Sequence, residues 1–158
     1  MLDHNGFVAE LNDQMDAFIS TPKDITPPGY FEAPFMIKRK GVYYLMYSDG
    51  KCTDSTYKVR YSTSNNPIGP WVEGKNSPVL STDAADNIIG PGHHTILLYN
   101  KKYYIVYHRI ANTNTNAKDL LREICVDELN FDKRGNINVV KPASGIKIFI
   151  NHFNLIRG

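Results

Sequence analysis

One carboxyl stands out. In Tyr30-Phe31-Glu32-Ala33-Pro34-Phe35, Glu32 sits among apolar and aromatic neighbours at the entry to a strand-like run. Partial removal from water disfavours the carboxylate and raises its pKa, which suits such a group to protonate a leaving oxygen. The same residue also reads as a strand-end glutamate paired with an Arg or Lys. A second cluster, Gly90-Pro91-Gly92-His93-His94-Thr95, combines glycines that admit close backbone approach with two imidazoles able to hold a proton or an ion. Its bland reading is a turn with one satisfied histidine. Arg109 follows Tyr107-His108 at a strand end, and Arg122 opens a strand after a polar loop over 111–119. A guanidinium fork there can clamp hydroxyls or a carboxylate, although most such arginines make surface ion pairs. Tyr30, Phe31 and Trp71 offer faces on which a ring could stack, or they fill a core.

The elements that must position these groups are β-strands. Phe35-Met36-Ile37 and Val42-Tyr43-Tyr44-Leu45-Met46-Tyr47, separated by Lys38-Arg39-Lys40-Gly41, form a hairpin signal. Tyr57-Lys58-Val59-Arg60-Tyr61-Ser62 gives a third strand, and Trp71-Val72 a fourth after the turn residues Asn65 to Pro70. The pattern then repeats. Thr95 to Tyr99, a turn at Asn100-Lys101-Lys102, and Tyr103 to Tyr107 restate the hairpin, with Tyr43-Tyr44 matching Tyr103-Tyr104 at an offset of 60 (103 − 43). Arg122 to Leu129 and Ile137 to Val140 supply the third and fourth strands of the second unit.

Successive four-stranded units of this kind predict β-propeller blades, with a small β-sandwich as the alternative. On this offset Glu32 maps to Gly92 and Ala33 to His93, so both clusters are expected at one end of the propeller axis. Met1 to Asp24 is expected to contribute an outer strand of a preceding blade, and Val8 to Phe18 reads as a strand plus loop as well as a helix. A blade cannot cover both of its faces, so neighbours are required, and self-association through exposed blade edges is one way to supply them.

Composition narrows the function classes. The 158 residues are 42% hydrophobic and 11% aromatic, sufficient for a packed core. The net charge is +2 without a polybasic run, which argues against nucleic acid as a partner. No apolar stretch approaches the roughly 20 residues that span a bilayer, so no membrane partner is expected. Met1 to Glu10 has neither a basic flank nor an apolar signal core, and no export signal is expected in it. Two cysteines, Cys52 and Cys125, are too few for a disulfide scaffold; Cys125 reads as core.

The ordered set Glu32-Ala33-Pro34-Phe35, Val42 to Ser48, Tyr57 to Ser62, Gly69-Pro70-Trp71, Gly90 to His94, Tyr104 to Arg109 and Arg122 to Asp127 resembles family 43 glycoside hydrolases. The likeness runs from about Phe7 to Pro142, which divides the chain into a propeller-like region over 1–142 and a divergent tail over 143–158. The resemblance implies a five-bladed propeller present here as about two complete blades plus part of a preceding one. It also implies inverting hydrolysis of arabinose- or xylose-containing glycans, such as arabinoxylan, arabinan and xylo-oligosaccharides, by an aspartate base, a second tuning aspartate and a glutamate acid. An inverting pair stands roughly 6.5–9.5 Å apart to admit a water, so its members come from different blades.

Glu32 falls on the acid. His93 falls on the histidine beside a central calcium or similar ion, where it would be one contact among waters, because calcium prefers oxygen. Arg122 falls on the sugar-binding arginine, with Arg109 as its companion and Phe31 as a stacking face. Both family aspartates belong ahead of Phe7, and Asp3, Asp13, Asp16 and Asp24 lack their surroundings. The resemblance therefore implies a partial member without the base. The rival reading is a non-catalytic carbohydrate-binding propeller fragment, and a third is a structural piece completed by another chain.

Overall fold

The computed structural model describes residues 4–111 and 121–142. The described chain is all-β, in three antiparallel sheets. Strands β1 (Phe7–Val8) and β2 (Lys23–Asp24) pair as a small ribbon. With the isolated bridge Leu11–Phe18, the ribbon settles the ambiguous amino-terminal segment as strand and loop. The second sheet runs β3 (Glu32–Arg39), β4 (Val42–Asp49), β5 (Lys58–Ser64) and β6 (Val72–Glu73) in sequence order. The third holds β7 (Ile89–Tyr99), β8 (Lys102–Ile110) and β9 (Arg122–Leu129).

The sequence repeat is a repeat of backbone. Glu32 pairs with Ser48 and Phe35 with Met46; sixty residues on, Gly92 pairs with His108 and Thr95 with Val106. Each inner strand carries a bulge between those two pairs, and each bulge holds a non-glycine residue at positive φ, Ala33 at 54° and His93 at 49°. Both hairpins close in two residues at positive φ, Lys40-Gly41 and Asn100-Lys101, the geometry whose twist matches that of the flanking strands.

Two expectations are corrected. Gly90 to His94 is part of β7, interrupted by two register shifts, and not a turn, because glycines and positive φ bend a strand by bulging it as readily as they end it. Ile137 to Val140 is no fourth strand: only Ile137 bridges, to Phe131, while the Asn138 and Val140 amides donate to the carbonyls of Asn130 and Val79. The segment is thereby tied to the first unit as well as to the second. The tail over 143–158 lies outside the described residues.

The core lies between the two larger sheets. Met46, Val59, Tyr61 and Leu80 from one side meet Ile105, Cys125 and Ile137 from the other, all fully buried. Removing a side chain such as Ile105 costs roughly 2–5 kcal/mol through lost transfer energy and an unfilled cavity.

Candidate functional site

Glu32 is the first residue of β3, opposite Ser48 near the end of β4, and its side chain is 34% exposed. The bulge that follows lets the carboxyl meet residues of both large sheets. Tyr57, fully buried just before β5, donates its hydroxyl to Glu32 Oε1 at 2.5 Å. From β7, His93 sets Nδ1 at 3.5 Å from the same oxygen and donates its backbone N–H to Ser48 Oγ at 2.9 Å. The expectation that Glu32 and the His93 segment share one end of the structure is met directly.

His108, opposite Gly92 on β8, completes the cluster. Its ring stacks on Tyr57 at 5.7 Å and lies 6.0 Å from His93. Burial first, then the positive charges of Arg122 and His93, push its pKa down to about 4, with Glu32 opposing. Its Nε2 is buried without a hydrogen-bond partner. Tyr57 is held far above the ordinary phenol range, chiefly by burial and then by its bond to Glu32. Gly92 makes this possible: a Cβ there would stand 2.1 Å from the Tyr57 ring.

Arg122 opens β9 as an exposed residue, and its charge reaches His108, so it borders the cluster. Arg109 does not. Strand alternation turns it to the core side of β8, where it is 3% exposed and bonds Glu123 at 2.6 Å and the Asn87 carbonyl at 3.4 Å. Phe31 is half-buried, its amide bonded to the Ser48 carbonyl and its ring 4.2 Å from that of His4. Tyr30 packs on Tyr47 at 5.8 Å. Trp71 precedes β6 at the hairpin end of its sheet, away from Glu32. His94 is 5% exposed, with both ring nitrogens unpartnered and its pKa pushed to about 3 by burial and then by His93.

Of the acids elsewhere, Asp24 accepts from Thr26, and Asp49 pairs with Lys58 and Arg60. Among the described residues no group of three or more His, Cys, Asp or Glu could hold a metal ion. Calcium takes six to eight oxygens, so these residues do not by themselves fit one. A cavity of about 510 Å³ opens at the far end of the second sheet, between Val42, Asn66, Arg134 and Asn136. It holds no carboxyl or imidazole; those groups gather at the Glu32 end.

Tyr57, Ser48 and His108 are the site residues that sequence reasoning missed. The register could have found two of them, since the pairing that places Glu32 opposite Ser48 places Gly92 opposite His108.

The chain matches the profile of Glycosyl hydrolases family 43 over residues 3–137. It is 37% identical over 131 residues to a β-D-galactofuranosidase of Aspergillus niger, covering 82% of this chain and 37% of that protein. A β-xylosidase of Xylanibacter ruminicola is 33% identical over 116 residues, covering 73% and 32%. The crystal structure of a thermostable family-43 glycoside hydrolase superposes with a TM-score of 0.73 at 25% identity, covering 88% of this chain and 48% of that one. An α-L-arabinofuranosidase from Lactobacillus brevis shares the fold, with a TM-score of 0.72 at 23% identity over 88% and 48%. The chain thus spans about a third of the length of these curated relatives and about half that of these solved structures. A profile match along most of its length, two relatives above 30% identity and a shared propeller-type architecture place the chain in glycosyl hydrolases family 43.

Proposed function

We propose that this chain carries the acid half of an inverting glycosidase acting on arabinose- or xylose-containing glycans, with Glu32 as the proton donor. The observation that supports this most is the gathering of Glu32, Tyr57, His93, His108 and Arg122 where two blades meet. There a half-exposed carboxyl is held by a phenol and bordered by a guanidinium. Arg122 and Phe31 contact the sugar, whereas Arg109 is held inside the sheet by Glu123.

In the reaction, Glu32 protonates the glycosidic oxygen while a water, deprotonated by an aspartate, attacks the sugar carbon from the opposite face. That aspartate and its tuning partner belong to other blades of a five-bladed propeller, outside these 158 residues. A calcium at the propeller centre would take His93 as one contact among waters, and no step requires it here.

A non-catalytic, carbohydrate-binding role is the second reading. It is favoured by the absence of any aspartate from the cluster among the described residues. Hydrolysis of nitrophenyl arabinofuranoside and xylopyranoside by the chain complemented with the aspartate-bearing blades of a relative, and by the same assembly carrying Glu32→Gln, with calcium and with chelator, tests the first. Loss of a proton donor lowers the rate about 10²- to 10⁴-fold. Binding of xylo- and arabino-oligosaccharides that survives Glu32→Gln, without turnover in either protein, supports the second.

A further inference from the structure

Among the described residues, both polar contacts of the Glu32 carboxyl fall on one oxygen. Tyr57 donates to Oε1 at 2.5 Å, His93 Nδ1 lies 3.5 Å from that same atom, and Oε2 receives neither. Tyr57 is itself clamped. Its ring is stacked on His108 with an interplanar angle of 19° and fills the space that a side chain at position 92 would need. Its hydroxyl also adjoins the Ser48 hydroxyl, which accepts from the His93 amide. A phenol without rotational freedom fixes the carboxyl to which it donates.

We propose that Tyr57 is the positioning residue of the site: by occupying Oε1 it makes Oε2 the oxygen that holds the transferable proton. This rests on the reading of Glu32 as the acid. The proton leaves Oε2 for the glycosidic oxygen as the carbon–oxygen bond breaks, and the bonding pair stays with the departing oxygen. Water supplies the new bond to the sugar carbon and gives its proton to the carboxylate base. The charge left on Glu32 then meets an O–H donor already in place, so no group has to reorient as the charge develops.

The test is spectroscopic and needs no turnover. Protein labelled with ¹³C at tyrosine Cζ and glutamate Cδ is compared with Glu32→Gln and Tyr57→Phe. Glu32→Gln shifts the Tyr57 Cζ line more than that of any other tyrosine, and Tyr57→Phe shifts the Glu32 Cδ line while the remaining tyrosine lines stay put. A Tyr57 line that does not move in folded Glu32→Gln overturns the proposal, and that arm decides alone if Tyr57→Phe does not fold. Hydrolysis that persists in Glu32→Gln would instead sink the acid assignment and leave the tyrosine shift intact.

Discussion

His94 and His108 are held neutral by the fold, and this has a sign that can be checked. Their folded pKa values, about 3 and about 4, lie below the ordinary 6.5, so the unfolded chain binds more protons wherever the pH falls under 6.5. The stability they confer is complete above pH 6.5 and is lost as acid approaches the folded values. For the buried His94 the slope is about 1.4 kcal/mol per pH unit, or about 2 kcal/mol by pH 5. Urea midpoints at pH 7.5 and pH 5 should show the loss. His94→Leu should flatten it, since an unpartnered buried imidazole gives way to an apolar group of related size.

The two arginines separate by the same kind of measurement. Arg109→Ala strands Glu123 beside a buried void and should cost about 3 kcal/mol of stability. Arg122→Ala, at an exposed strand end, should leave the unfolding midpoint within about 0.5 kcal/mol and weaken sugar binding instead. A reversal of these two results would reverse the roles assigned to them.

At the scale of elements, the paired bulges decide where the chemistry falls. Gly92→Ala would drive a methyl into Tyr57 and should destabilise by about 1–3 kcal/mol while displacing the phenol from Glu32; the labelled tyrosine line reports the displacement. Strands were legible in the sequence where apolar and aromatic alternation was strong. The repeat offset carried the pairing of β7 with β8, and β9 was readable from its first residue to its last.

What the sequence concealed was the fate of glycines and of short apolar runs. Gly90 and Gly92 announce an irregular backbone without saying whether pairing continues through it. Ile137 and Val140 are apolar and buried like strand residues, yet the amides of Asn138 and Val140 donate to Asn130 and Val79 outside any sheet. Glu32 and His93 were visible by type and by position. Tyr57 was hidden because an aromatic at a strand entry looks like core, and it is core at its ring; only the third dimension shows where its hydroxyl goes. Arg109 was read by its neighbourhood in sequence, which does not report which face of β8 it occupies.

For the molecule as a whole, the outer face of the third sheet matters most. Thr95, Leu97 and Ile124 point away from the core, and Leu97 and Ile124 are 46% and 61% exposed. Apolar groups exposed on an open sheet face favour association with another surface. Sedimentation of the chain at rising concentration should therefore show growing mass, and Leu97→Lys with Ile124→Lys should suppress it without shifting the unfolding midpoint by more than a few degrees. Association that is indifferent to these charges would locate the contact elsewhere, for example at the exposed edge of β9.

The second and third sheets repeat one register and yet are not interchangeable parts. Where one presents a carboxyl at the start of its inner strand, the other keeps a void, and Tyr57 has moved into it. The second sheet thus borrows volume from the third to hold its carboxyl in place. A repeat of backbone is asymmetric in its side chains, one copy supplying the carboxyl and the other the space in which the phenol that binds it is held.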